Sequence, residues 1–172
     1  MQVTPDIIGW LIWAMAALHR DGHTDPDLTM HLMLSAAIAE SHLNPYAERY
    51  GVYPDISFGL AQRSLASHWT GDRTNTPANI AFVRQQVFAH PELDLYHMGV
   101  WLLGNLHQVR ASISEGNDLR RVDGNIGLAA LVTYNAGYLP AYDSYWWTKY
   151  AAHVERYKLA MAQARQILES PR

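Results

Sequence analysis

The chain spells out helix starts in a repeated grammar: Thr4-Pro5-Asp6, then Asp25-Pro26-Asp27, then Thr76-Pro77. Each group puts a side-chain oxygen where the first turn has orphan N–H groups, followed by a proline that needs no hydrogen bond there. The acids after Pro5 and Pro26 meet the positive end of the helix dipole. This grammar predicts one helix to about Arg20, stopped by Gly22, and a second that starts at Asp25-Pro26-Asp27 and reaches Glu40. A third opens at Thr76-Pro77 and ends before Pro91. From Glu92 to about Ser114, residues Leu95, Met98, Trp101, Leu102, Leu106, Val109 and Ile113 recur at helical spacing. Asp118 to Asn125 reads as a loop, and Ile126 to Asn135 as a buried helix closed by Gly137. A last amphipathic helix from about Thr148 to Leu168 carries Val154, Tyr157, Leu159, Met161 and Ile167. Period-two alternation is scarce. Only the stretch from Tyr50 to Phe58, where Gly51 and Pro54 break helix, predicts a small β-hairpin. No repeat, low-complexity tract or linker divides the chain, so the expectation is one mainly α domain over residues 1–172.

That length suits a single domain, and hydrophobic residues at 49% supply a core. A formal net charge of −3, with no basic stripe, argues against nucleic acid as a partner. The absence of cysteine removes disulfides and thiolate metal sites. The apolar run Ile7 to Leu18 is well short of the roughly 20 residues that cross a bilayer, so no membrane insertion is expected. No Lys or Arg precedes that run, which argues against a secretory signal.

Three motifs carry chemistry. Glu40 lies in Ala39-Glu40-Ser41-His42-Leu43-Asn44-Pro45-Tyr46-Ala47, followed by Ser57-Phe58-Gly59-Leu60-Ala61-Gln62 and, much later, by Thr133-Tyr134-Asn135-Ala136-Gly137. A carboxyl that protonates a glycosidic oxygen must keep its proton until the bond stretches. Apolar surroundings and the negative end of a helix both favour that neutral form, and Glu40 ends a helix rich in Leu, Met, Ala and Ile. A lone glutamate at a helix end reads as surface charge, and so does nearby Glu48 beside Arg49.

In this order the motifs resemble the signature of lytic transglycosylases, enzymes that cut the glycan strands of bacterial peptidoglycan. The resemblance spans most of the chain and implies a lysozyme-like helical domain with Glu40 as its acid. It implies that Ser41, Asn44 and Pro45 organise the turn after the acid, with Ser41 also binding substrate. It also implies that Ser57, Gly59 and Gln62 form a cleft wall that binds substrate, and that Tyr134 and Asn135 line the cleft. A glycine lets backbone approach a sugar, and the Gln62 amide can both donate and accept. A buried Tyr134 hydroxyl close to Glu40 would orient the acid. Tyr134-Asn135-Ala136-Gly137 equally reads as a helix C-cap. Tyr150-Ala151-Ala152-His153-Val154 is similar to the family's late tyrosine segment, which gives Tyr150 the hydrogen bond to the acid, with Tyr145 as its rival.

Residues Glu48 to Ile56 read as an insertion relative to the family, and they contain Asp55. Asp55 to Leu60 also resembles the loop of goose-type lysozymes, where an aspartate positions a water. One carboxyl implies attack by the sugar's own 6-hydroxyl and a 1,6-anhydromuramic end. Two carboxyls roughly 6.5–9.5 Å apart imply hydrolysis by water. Asp55 reads equally as a turn residue after Pro54. Among Tyr142, Tyr145, Trp146 and Trp147, which lie between Tyr138 and Tyr150, one or two rings are expected to stack on sugar faces. The nine histidines match no metal-ligand spacing, Asp21, Asp25 and Asp27 form no calcium loop, and no metal or cofactor is expected. The enzyme expectation is cleavage of the β-1,4 bond between N-acetylmuramic acid and N-acetylglucosamine by a monomer acting on peptidoglycan strands. Chitin is a second substrate class. The other alternative is a non-catalytic wall-binding module of a phage virion. With no leader seen, access to the wall would come through phage lysis, carriage in a virion, or membership of a larger exported protein.

Overall fold

The computed structural model describes residues 5–50, 56–64, 76–116, 122–136 and 144–170. Six helices carry the chain: α1 (Pro5–Arg20), α2 (Met30–Ser41), α3 (Pro77–Ala89), α4 (Pro91–Ser114), α5 (Ile126–Ala136) and α6 (Ser144–Glu169). Between α2 and α3 stands an antiparallel sheet of β1 (Glu48–Tyr50), β2 (Ile56–Phe58) and β3 (Arg63–Ser64), in the order β1-β2-β3. The mainly α expectation holds. The hairpin is present and gains a third strand, with Glu48 opposite Phe58 and Phe58 opposite Arg63.

α2 is the axis. Every residue from Leu32 to Ala39 is buried, which is what a helix apolar on all sides requires. It packs most extensively on α6, where the His31 ring N–H donates to the Met161 carbonyl at 2.8 Å. α1 lies along α4, and a Cβ added at Gly99 would stand 2.3 Å from a Leu18 methyl, so the two helices meet where the side chain is missing. Leu11, Leu18, Met33, Leu95, Met98, Leu102, Leu106, Leu131 and Tyr157 fill the shared core. A smaller cluster of Phe58, Val83 and Val87 fastens the sheet to α3. On its exposed side the sheet is tied to α3 again: Arg84 donates to Glu48 at 3.1 Å and to the Tyr50 hydroxyl at 2.6 Å. Glu48, expected to be a solvated charge, is therefore half of a surface clamp.

Several element boundaries differ from the sequence expectation. α2 begins at Met30, not at Asp25: the Thr29 hydroxyl accepts from Leu32 N–H at 3.2 Å and caps it. Asp25 instead folds back on the Asp27 N–H at 2.8 Å and receives the Arg110 guanidinium, so the second proline group makes a turn held by a cation from α4. α3 opens as expected, with the Thr76 hydroxyl accepting from Asn79 N–H. α6 starts at Ser144, one turn before Thr148. Trp101, Ile113 and Leu159 carry helical spacing yet face outward, at 42%, 39% and 65% exposure.

The turn after β2 needs its glycine. Gly59 has φ +78°, and a Cβ there would lie 2.4 Å from both Asp94 Oδ2 and Val87 Cγ1. Gly22 has φ +79° with nothing within 4 Å of the same added atom. Gly59→Ala is therefore expected to lose roughly 1–3 kcal/mol more than the left-handed backbone alone would cause. Urea unfolding of Gly59→Ala and Gly22→Ala checks this, and equal losses in the two variants would contradict it.

Candidate active site

The end of α2 is folded tightly before it reaches the sheet. His42 and Leu43 adopt left-handed backbone, φ 54° and 63°, and their N–H groups turn back to the Ile38 and Ala37 carbonyls. This is the reversal that closes a helix and satisfies its last carbonyls. The Ser41 hydroxyl donates to the Ala37 carbonyl at 2.9 Å and is buried. Ser41 thus secures the helix end, as a turn-organising residue does, and is not set out as a substrate ligand. Asn44 does the next step: its side-chain oxygen accepts from Tyr46 N–H at 2.9 Å.

Glu40 projects from this last turn with a side chain only 3% exposed. Its Oε1 accepts from the Tyr157 hydroxyl and, at 3.2 Å, from Arg156 Nη2, both on α6. Oε2 has no hydrogen-bond partner among the described residues. Oε1 is thus fixed by two donors, and Oε2 is the oxygen left uncommitted. The Arg156 cation is placed to meet negative charge on this carboxyl. Burial, and then the charge of Glu40, push the Tyr157 phenol well above its ordinary value, so it remains a donor.

The tyrosine expected on the acid was Tyr150, and the structure places Tyr157 there. Tyr150 stands two helical turns earlier on α6, half-buried, with its ring edge-on to His153 at 5.2 Å. Tyr157, on the amphipathic stripe of the last helix, belongs to the core: none of its surface is exposed. Its hydroxyl needed a partner inside, and Glu40 is that partner. Arg156 gave no sequence signal, since one charged residue on an amphipathic helix looks like any other.

The Gly59-Leu60-Ala61-Gln62 turn is gripped from three sides. Ala61 N–H donates to Asp94 Oδ2 at 2.9 Å, and the Tyr134 hydroxyl donates to the Ala61 carbonyl at 2.7 Å. Gln62, at φ 49°, gives its amide hydrogens to the Gly59 carbonyl at 3.0 Å and the Ala47 carbonyl at 3.3 Å. Its amide oxygen accepts from the Ser57 hydroxyl at 3.1 Å. The donors expected to face a sugar on Gln62, Ser57 and Tyr134 are thus occupied within the protein. Buried polar groups that find partners this way define the wall's shape instead of its surface. The atoms that Gly59 leaves room for are those of Asp94 and Val87, and Tyr134 braces the turn instead of orienting Glu40.

Asp94 went unnoticed in the sequence. It stands four residues before Met98 and eight before Leu102, on the stripe that α4 buries, and that placement was the available signal. Burial pushes its carboxyl up to about 7, against the pull of the Ala61 N–H and of Arg63, whose Nε lies 4.0 Å from Oδ1. Burial also lowers Arg63, with Asp94 opposing. His97, one turn along α4, is lowered to about 4 by burial and by Arg63.

His153 lies one turn before Tyr157. Burial, then Arg156, lowers its value, and its buried Nδ1 has no hydrogen-bond partner among the described residues. Asn135 sits half-buried near the end of α5. Asp55, Gly137, Tyr138 and Tyr142 lie outside the described residues. Of Tyr145, Trp146 and Trp147 only the backbone, in the first turns of α6, is described. A groove of about 470 Å3 between α2 and α6 is lined by Ile38, His42, Arg156 and Leu159 among others, and it reaches Arg156 without taking in Glu40. Among the described residues no three His, Asp or Glu side chains gather as metal ligands, and no helix is long and apolar enough to cross a membrane.

Two outcomes are expected. Tyr157→Phe leaves Glu40 with one donor fewer in a dry site and should lose about 1.5–3 kcal/mol, against a smaller loss for Tyr150→Phe. Paired urea titrations decide this, and a larger loss at Tyr150 would contradict it. The second outcome concerns pH. A carboxyl raised from 3.8 to about 7 contributes its full stability below 3.8 and loses it as pH rises towards 7. Over that window Asp94→Asn should flatten the stability–pH curve, and a curve that keeps its wild-type slope would contradict the assignment.

Comparison with known protein families, with curated proteins and with solved structures gives no match to this chain.

Proposed function

We propose that this domain is a peptidoglycan lytic transglycosylase that breaks the β-1,4 bond between N-acetylmuramic acid and N-acetylglucosamine. One observation carries the reading: Glu40 has one carboxyl oxygen fixed by Tyr157 and Arg156, and its other oxygen takes no partner among the described residues. An anchored carboxyl with one uncommitted oxygen is the arrangement a proton donor needs. A glutamate serving only as an ion-pair partner would gain from having both oxygens satisfied. The resemblance of the Glu40, Gly59-Leu60-Ala61-Gln62 and Tyr134-Asn135-Ala136-Gly137 segments to the transglycosylase signature supplies the substrate class.

The steps balance without an added reactant. Glu40 Oε2 gives its proton to the bridging oxygen as the bond to the muramic C1 breaks, and the N-acetylglucosamine hydroxyl leaves. Arg156 faces the carboxylate that results. That carboxylate then takes the proton of the muramic 6-hydroxyl as its oxygen bonds to C1, closing the 1,6-anhydro ring and restoring the acid.

Glu40→Gln keeps the shape of the side chain and removes the transferable proton. It should lower the rate of strand cleavage by about 10²–10⁴-fold while the folded state persists. Lysis assays on purified peptidoglycan test this, and full activity in the variant would refute the role of Glu40. Mass spectrometry of the products tests the nucleophile. Anhydro ends are expected, whereas ends about 18 Da heavier would replace this reading by hydrolysis with water.

A further inference from the structure

One buried acid plays no part in the proton transfer just described. The side chain of Asp94 is 1% exposed, yet it is embedded in the first turn of α4 directly under the Gly59–Gln62 turn. Its two oxygens differ. Oδ2 accepts from Ala61 N–H at 2.9 Å. Oδ1 is buried with no hydrogen-bond partner among the described residues and faces Arg63 Nε at 4.0 Å, beyond bonding distance. On the other side of Ala61, the Tyr134 hydroxyl donates to its carbonyl. One residue, Ala61, is therefore held at its N–H by α4 and at its carbonyl by α5, while the side chain of the next residue, Gln62, bonds Gly59 and Ala47. Ala47 belongs to the loop that leaves the Glu40 helix, so the clamp ties the turn to the acid-bearing segment.

We propose that Asp94 is a positioning residue of the glycan-cleaving site, setting the Gly59–Gln62 wall against Glu40 through the Ala61 peptide. This rests on the function proposed above and extends it to a residue that touches neither sugar nor reacting proton. The clamp has a second consequence. The charged and titratable groups that face Asp94 are Arg63 on β3 and Tyr134 on α5, with His97 a turn away on α4. A proton on Oδ1 leaves this group neutral beside Arg63. Its loss creates a buried charge that draws Arg63 inward from 4.0 Å and drags the wall with it. Substrate affinity should then weaken as pH rises past the value of about 7 at which Asp94 titrates.

Two variants of the whole chain test this. Asp94→Asn keeps an oxygen for Ala61 N–H and removes the titration. Asp94→Ala removes both. Amide exchange of Ala61 needs no substrate, and in Asp94→Ala it should quicken about tenfold or more relative to the rest of the molecule, with Asp94→Asn close to wild type. On peptidoglycan strands, Asp94→Ala should raise KM about tenfold with kcat within about twofold. The KM of Asp94→Asn should stay level from about pH 5 to about pH 8, while that of the wild type rises across the upper half of the range. Unchanged exchange in Asp94→Ala, or an Asp94→Asn profile that follows the wild type, overturns the proposal. If Asp94→Ala does not fold, the Asp94→Asn profile decides alone. A wild-type protein that cuts no glycan overturns the proposed function, and the exchange measurement still judges the clamp.

Discussion

A carboxylate survives inside a protein only where donors come to meet it, and the contact between Glu40 and the pair Arg156–Tyr157 is such a meeting. α2 delivers the acid and α6 delivers the donors. Neither helix could bring the group to this position alone. α2 is buried from Leu32 to Ala39, so its one acid sits at the last turn, where the backbone reverses through His42 and Leu43. α6 answers with a tyrosine whose ring belongs to the core and whose hydroxyl would be orphaned without the acid. The most extensive helix contact in the molecule and the candidate chemistry therefore depend on each other.

Two acids in this fold show how surroundings divide roles between groups of the same kind. Glu40 is met by a cation and a phenol at a single oxygen, which leaves the other for transfer. Asp94 is met by the backbone N–H of Ala61, with its cation held off at 4.0 Å. The first arrangement suits a group that exchanges a proton with something outside. The second suits a group that shapes a turn. Gly59, whose missing side chain makes room for Asp94, belongs to the second arrangement, and so do Tyr134, Ser57 and Gln62.

Local physics was legible from the letters. The cap at Thr76, the stop at Gly22 and the apolar spacing of Leu95, Met98, Leu102 and Leu106 act within a few residues, so the chain announces them directly. The second proline group misled because Asp25 had a stronger offer from Arg110, a residue far along the chain, and Thr29 capped α2 instead. Trp101, Ile113 and Leu159 misled because periodicity names a face without saying whether a neighbour covers it. Within the candidate site, Glu40 and the turn-forming roles of Asn44 and Ser41 were within reach of the sequence. Tyr157 hid as a core residue two turns beyond Tyr150, and Asp94 hid as an ordinary first-turn acid.

What the sequence determined by itself is the set of helices, the single acid at the end of an apolar one, and the cap at Thr76 and stop at Gly22. These follow from backbone sterics and short-range hydrogen bonding, which depend on neighbours in the chain. Which tyrosine holds the acid, and whether Gln62 faces a ligand or its own backbone, was decided only by tertiary structure. So was the placing of a buried carboxyl beneath Ala61. Those outcomes depend on groups brought together from distant parts of the chain, where desolvation forces every polar atom to find a partner and packing dictates which partner is in reach.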